Sequence, residues 1–193
     1  MAQRLSPELV LHGYRMGVFP MADPDEGDRI YWFRPDPRAI LPLNALHVPK
    51  NLAKQVRQGV FDVTVDSCFE QVIEACADRD TTWISREIIR TYTRLFRAGF
   101  AHSVECWHEG QLAGGLYGVA LGGAFFGESM FHRVRDASKV ALVHLVQRLR
   151  ERGFVLLDTQ YATAHLEQFG ITEISAEEYE RRLDDALKVK AAW

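Results

Sequence analysis

Several marks of specialised protein classes are scarce in this chain. It has three cysteines in 193 residues, Cys68, Cys76 and Cys106. An odd count without C-x-x-C spacing argues against a disulfide framework or a structural zinc site. The three read as small buried hydrophobes in a reducing compartment. The seven histidines show no metal-ligand spacing, so no metal is expected. Net charge is only -3. A chain without overall positive charge has little general affinity for nucleic acid, and any such contact must come from a local patch. The N-terminal stretch Met1-Ala2-Gln3-Arg4-Leu5-Ser6-Pro7 lacks the apolar core of a signal peptide. No apolar run approaches the roughly 20 residues of a membrane span. A soluble cytoplasmic protein with no membrane partner is expected. Internal repeats and low-complexity segments are also missing.

What is present is an ordinary globular composition, 47% hydrophobic, enough for a sizeable core. Ser6-Pro7-Glu8 opens a helix ending near Gly13 or Gly17. Val18 to Gly27 reads as a loop, and Tyr31 to Arg34 as a short strand broken by Pro35-Asp36-Pro37. A boundary here divides a small N-terminal lobe, residues 1–34, from a main domain, 35–193. Pro49 to Gly59 reads as a helix, and Phe61, Val63 and Val65 alternate as in a half-buried strand. Ser67 and Glu70 form a capping box ahead of a helix that buries Phe69, Val72, Ile73 and Cys76. Ser85 opens a further helix that Gly99 closes. Three strands follow, His102–Trp107, Leu112–Ala120 and Ala124–Phe131, joined at Glu109-Gly110 and Gly122-Gly123. Asp136 caps a helix with Leu142, Leu145 and Leu149 inside, ending at Gly153. Phe154 to Asp158 reads as a central strand. Ser175 and Glu178 cap a last amphipathic helix. The fold class is therefore α+β: an antiparallel meander plus a crossover, giving an acetyltransferase-like (GNAT-like) mixed sheet flanked by helices.

The segment from Phe125 to Gln160 carries most of the chemistry. Side chains at i and i+2 of a strand share a face, so Asp158 and Gln160 are expected to look into one cavity. Glu128 lies among large apolar residues, where a lone carboxylate is costly unless paired. It either binds an ammonium group of a substrate or forms an ion pair with Arg133 or Arg135. Lys50, Lys54 and Arg57 recur at i, i+4 and i+7 on one helix face with no opposing acids. Such a face is either simply solvated or a track for phosphates.

In order, Gly13-Tyr14 with Gly17-Val18-Phe19-Pro20, Pro35-Asp36-Pro37-Arg38, Thr82-Trp83-Ile84, Ala101-His102-Ser103-Val104-Glu105, Gly114-Gly115-Leu116-Tyr117-Gly118-Val119 and the Phe125–Gln160 unit resemble the bacterial leucyl/phenylalanyl-tRNA–protein transferases. The resemblance covers nearly the whole chain. It implies transfer of leucine or phenylalanine from aminoacyl-tRNA to the α-amine of proteins starting with arginine or lysine, which marks them for degradation. It also implies the acetyltransferase-like fold and no cofactor. By the same resemblance, Leu116, Phe125, Leu142, Leu145 and Leu157 form an apolar pocket for the transferred side chain. Glu128 and Met130 lie near the aminoacyl group, and Trp83 and Tyr92 beside the terminal adenosine or the acceptor. Lys50, Lys54 and Arg57 face the tRNA, and Asp158 and Gln160 are the catalytic pair. The chain is expected to act as a monomer. Two departures stand out: Met21 occupies a position where tryptophan is usual, and the segment ahead of the first helix is short.

Aminoacyl-tRNA is already an activated ester, so no enzyme nucleophile is needed. Gln160 cannot act as a base; its amide oxygen only accepts a hydrogen bond. It is expected to orient the acceptor amine, with Asp158 supplying negative charge behind it; both residues otherwise serve only strand-end backbone groups. Two other classes compete. A coenzyme A-dependent N-acyltransferase would want a glycine-rich turn before the helix after the central strand, and His132 to Lys139 contains no glycine. A non-catalytic tRNA- or degron-binding module would share the pocket without needing Asp158 and Gln160.

Overall fold

A computed structural model describes residues 4–193. Helix α1, Pro7–Arg15, starts as its sequence requires: the Ser6 hydroxyl accepts the Leu9 N–H at 3.2 Å, with proline at the first helical position. The expected loop after it instead contains strand β1, Phe19–Asp23, which pairs antiparallel with β2, Arg29–Phe33. Pro20 hid this strand. It is tolerated because β1 has a partner on one side only, so a missing N–H on the other breaks no ladder.

Strand β3, Arg38–Ile40, is followed by α2, Lys50–Gln58, β4, Asp62–Val65, and α3, Phe69–Ala77. The expected capping box does not form. The helix starts one residue late, so Cys68 takes the cap position and Ser67 Oγ donates to the Val65 carbonyl instead. Helix α4, Arg86–Arg97, has the expected Ser85 cap. The meander is β5, Ala101–His108, β6, Gln111–Leu121, and β7, Ala124–His132. Its Gly122 turn has φ 57°, and a Cβ there would sit 2.8 Å from the Leu187 carbonyl oxygen.

Helix α5, Ala137–Glu151, follows. Asp136 occupies its cap position but does not cap it. With φ 68°, its carboxylate is turned to Gln55 Nε2 and Lys139 Nζ, both at 3.0 Å. The chain ends with β8, Leu156–Gln160, α6, Ala164–Glu167, β9, Thr172–Ile174, and α7, Ala176–Lys188. Ser175 caps α7 as expected, through the Glu178 N–H at 3.3 Å. The Glu178 carboxylate, however, turns to Arg181 and Arg182 rather than closing a box.

Seven strands form one sheet in the order β4-β5-β6-β7-β8-β3-β9. Among the described residues only β7 and β8 pair in parallel. Helix α5 and Leu52 of α2 cover one face, packing on Val104, Leu116, Phe125 and Leu157. The other face is covered by α1, α3, α4 and α7, through residues such as Val10, Ile73, Ile88 and Leu183. This is the helix-flanked mixed sheet that the element order implies. The N-terminal segment buries Val10, Leu11, Tyr14 and Phe19 in that same second cluster.

One feature positions the site. The parallel ladder has three pairs, Ala124↔Leu156, Phe125↔Leu157 and Phe126↔Asp158, and then stops. Strand β7 continues along β6 to His132, but with a bulge. Gly118 faces Gly127 and Tyr117 faces Ser129, leaving Glu128 as the extra residue. A bulge bends its strand, and β7 and β8 part company after Phe126, just ahead of it. A fork opens between their carboxyl-terminal ends.

Candidate active site

The fork holds a cavity of about 780 Å³, a typical size for a small-molecule or cofactor site. Strand β7 supplies Gly127 to His132, with Arg133 just beyond it, and the end of β8 supplies Thr159 and Gln160, with Tyr161 just beyond it. Ser138, Leu142 and Leu145 of α5 line it on one face of the helix, at i, i+4 and i+7. Phe19 and Met21 of β1 and Trp83 complete the walls.

Most of the expected site residues meet here. Leu116, Leu142, Leu145, Leu157 and Met130 make an apolar end, with Glu128, Gln160 and Trp83 also on the wall. Apart from the three cations of α2, three do not reach the cavity surface. Phe125 is fully buried behind the apolar end, stacked on Trp193 at 5.1 Å between ring centres. Tyr92 is also fully buried, and its hydroxyl donates to Glu128 Oε2 at 3.2 Å. Asp158 is the third.

Asp158 and Gln160 do not face one cavity. Gln160 has φ 63°, a left-handed backbone, and the i, i+2 rule holds only while both residues are extended. Its side chain lies on the cavity wall, whereas Asp158 is 0% exposed beneath it. The Asp158 carboxylate takes a two-pronged bond from Arg38, Nε at 2.9 Å and Nη2 at 2.6 Å. It also accepts the Tyr179 hydroxyl at 2.7 Å and the Gln160 backbone N–H at 2.9 Å. Its charge is thus committed to Arg38 rather than offered behind the Gln160 amide.

Arg38 escaped sequence reasoning. It is 1% exposed, its Nη1 donates to the Gly17 carbonyl at 3.0 Å, and its guanidinium lies against the rings of Tyr179 and Phe19. The available signal was indirect: a buried aspartate demands a cation, and Arg38 closes the Pro35-Asp36-Pro37-Arg38 motif.

Glu128 pairs with neither Arg133 nor Arg135. Arg133 lies over the Phe131 ring, and Arg135 is 3.8 Å from Asp136. Glu128 Oε1 instead accepts Gln160 Nε2 at 3.0 Å. Burial pushes the Glu128 carboxyl up to about 7, with Asp158 adding to the rise and the Tyr14 and Tyr92 hydroxyls and Arg38 opposing it. When Glu128 is ionised it only accepts hydrogen bonds, and the Gln160 amide then turns its NH₂ to it. That leaves Gln160 Oε1 free to accept from a ligand.

Lys50, Lys54 and Arg57 are exposed on α2, and none is in an ion pair among the described residues. The Gln55–Asp136 hydrogen bond holds α2 beside the start of α5. Among the described residues no three His, Cys, Asp or Glu side chains converge to hold a metal ion, and no helix is long and apolar enough to cross a membrane.

Residues 40–184 match the family model described as leucyl/phenylalanyl-tRNA protein transferase, and residues 3–36 match that of its N-terminal domain. Proteins named leucyl/phenylalanyl-tRNA–protein transferase are similar throughout. The one from Salinibacter ruber is 59% identical over all of this chain and 85% of its own length. The one from Rubrobacter xylanophilus is 60% identical, over 98% of this chain and 99% of its own. Among solved structures, a conserved protein of unknown function from Bacteroides thetaiotaomicron is similar with a TM-score of 0.50 at 10% identity, over 77% of this chain and 55% of that one. A ribosomal-protein-alanine N-acetyltransferase from Brucella melitensis aligns with a TM-score of 0.42 at 14% identity, over 69% of this chain and 94% of that one.

Proposed function

The chain belongs to the leucyl/phenylalanyl-tRNA protein transferase family, and from that premise we propose how its residues carry out the reaction and on which substrates. The protein is an aminoacyltransferase that moves an amino acid from tRNA to a protein. The donor carries leucine or phenylalanine, and the acceptor is the α-amine of a protein beginning with arginine or lysine. The product is marked for degradation. The enzyme works as a monomer in the cytoplasm.

The acceptor nitrogen attacks the carbonyl carbon of the aminoacyl ester. A C–N bond forms, the ester C–O bond breaks, and the terminal ribose hydroxyl of the tRNA leaves with a proton. The amine must be neutral to attack, and with a pKa of roughly 7.7–8.0 a useful fraction already is. Gln160 accepts an N–H from that amine through Oε1 and aims its lone pair. Glu128 holds the α-ammonium of the transferred amino acid. The apolar end, Leu116, Leu142, Leu145 and Leu157, takes the transferred side chain. One methylene in such a pocket is worth only ~1–3 kcal/mol, so leucine and phenylalanine are both admitted. Trp83 stacks beside the terminal adenosine or the acceptor, and α2 tracks the tRNA backbone with Lys50, Lys54 and Arg57. Asp158 acts through Gln160, as a positioning residue. Orientation of two large substrates is worth about 7–11 kcal/mol, enough for most of the acceleration.

The observation that carries this reading is the Gln160 amide, pinned by Glu128 at the rim of an apolar recess between two diverging strands. The test is to mix the purified protein with leucyl-tRNA and an arginine-starting peptide, without metal or nucleotide. Leucyl-peptide is expected. Transfer only from acetyl-coenzyme A overturns the reaction, and full activity on acidic amino termini overturns the acceptor.

A further inference from the structure

Ser138, in the first turn of α5, lines the same cavity as the apolar recess, and nothing in the reaction above uses it. Asp136 provides no side-chain cap to this 15-residue helix. In the first turn, the Ala137 and Val140 N–H groups are bonded to the Val134 and Asp136 carbonyls, at 3.2 and 2.9 Å. The Ser138 and Lys139 N–H groups have no partner among the described residues. Unpaired amides at a helix start attract anions, because their dipoles point outward together. The Ser138 side chain is 1% exposed, lines the cavity, and its hydroxyl has no partner among the described residues. His165 Nε2, also on the cavity wall, is buried and unpartnered. His132 and Arg133 line this end as well. The acid at this point, Asp136, is already engaged by Lys139 and Gln55.

We propose that the start of α5, with Ser138, Arg133, His132 and His165, is a phosphate site that holds the phosphodiester on the 5′ side of the terminal nucleoside of the donor. The placement fits the recess. Ser138, Leu142 and Leu145 share one helix face, so the phosphate site lies about 6 Å along the axis from the first leucine and about 10 Å from the second. Amino acid side chain, ester, ribose and phosphate are threaded in that order along the helix. The donor's own backbone then measures how far its amino acid enters.

This assignment rests on the charged-tRNA reading, and its test separates the two. Leucyl-adenosine is compared with leucyl-adenosine 5′-phosphate as donor to an arginine-starting peptide, in wild type and in Arg133→Ala, His165→Ala and Arg133→Lys. The readout is the ratio of kcat/KM with and without the phosphate. A ratio of about ten to a hundred is expected in wild type, the worth of hydrogen bonds to a charged group. It should fall toward one in the alanine variants and recover in part with lysine. Excess inorganic pyrophosphate should inhibit wild type more than Arg133→Ala. Equal transfer from both donors by wild type overturns the phosphate site alone, as does a ratio unchanged in both alanine variants. No transfer from either donor, nor from leucyl-tRNA, overturns the donor reading and this assignment with it.

Discussion

Asp158 holds Gln160 by its backbone: Oδ1 accepts the Gln160 N–H at 2.9 Å while both carboxylate oxygens are tied to Arg38. The left-handed turn at Gln160 is thereby fixed, and its amide is delivered to Glu128. The two residues of the expected catalytic pair thus have different tasks, one in the cavity and one beneath it.

In the proposed mechanism Gln160→Ala removes the acceptor that aims the amine. Its single-turnover rate on leucyl-tRNA should fall by about 10²–10³, with circular dichroism and tRNA binding unchanged. A loss below tenfold would remove Gln160 from the mechanism.

Asp158→Asn leaves the Arg38 guanidinium buried without its counter-charge. Breaking a buried ion pair by removing one partner costs about 3–5 kcal/mol. Urea denaturation should show that loss, and Arg38→Met should show one of similar size. A native-like midpoint for Asp158→Asn would mean that Tyr179 and the Gly17 carbonyl suffice to hold this corner.

The raised Glu128 carboxyl ties activity and stability to pH in opposite directions. Folding favours its protonated form, so its contribution to stability is complete below about 4.5 and is lost as pH rises through about 7. The loss is on the order of 3 kcal/mol by linkage, and Glu128→Gln should remove that slope from denaturation curves measured between pH 5 and 8. Transfer should run the other way. It needs the ionised form to hold an ammonium, so the wild-type rate should rise through pH 7 and the variant should lack that step.

On α2 the three cations stand free of protein partners among the described residues. Lys50→Ala, Lys54→Ala and Arg57→Ala should weaken tRNA binding about equally for different tRNA sequences. Each should lower the slope of log affinity against log salt by roughly 0.7–0.9 for every phosphate it no longer neutralises. A triple variant that binds like wild type at low and high salt would make this face merely solvated.

The sequence was legible where one local signal dominates. Strands β5 to β7 alternate and end in glycine turns, and Ser6, Ser85 and Ser175 each stand at a true helix cap. It was opaque where structure depends on partners distant in the chain. Strands β3 and β9 are three residues long, too short for any period to register; β3 exists because β8 offers it an edge, and β9 because β3 does. The cap at Ser67 was misplaced by one residue, a shift beyond what propensity resolves. In the site, family resemblance collected the recess leucines into one wall, because the order of motifs survives folding. It could not anticipate that Gln160 leaves the extended region or that Arg38, 120 residues away, takes the Asp158 charge.

Met21 and Phe19 reach the cavity from the β1–β2 ribbon, which among the described residues shares no strand pairing with the seven-stranded sheet. The ribbon and the sheet therefore set different properties. Changes in the sheet disturb register, core and recess together. A change at Met21, half-buried and bonded to neither α5 nor β7, resizes the roof alone. A thioether is unbranched and pliable where an indole is flat and stiff. A substitution at Met21 is therefore expected to alter discrimination among donors through a single roof residue, while leaving the sheet that carries Glu128 and Gln160 as it is.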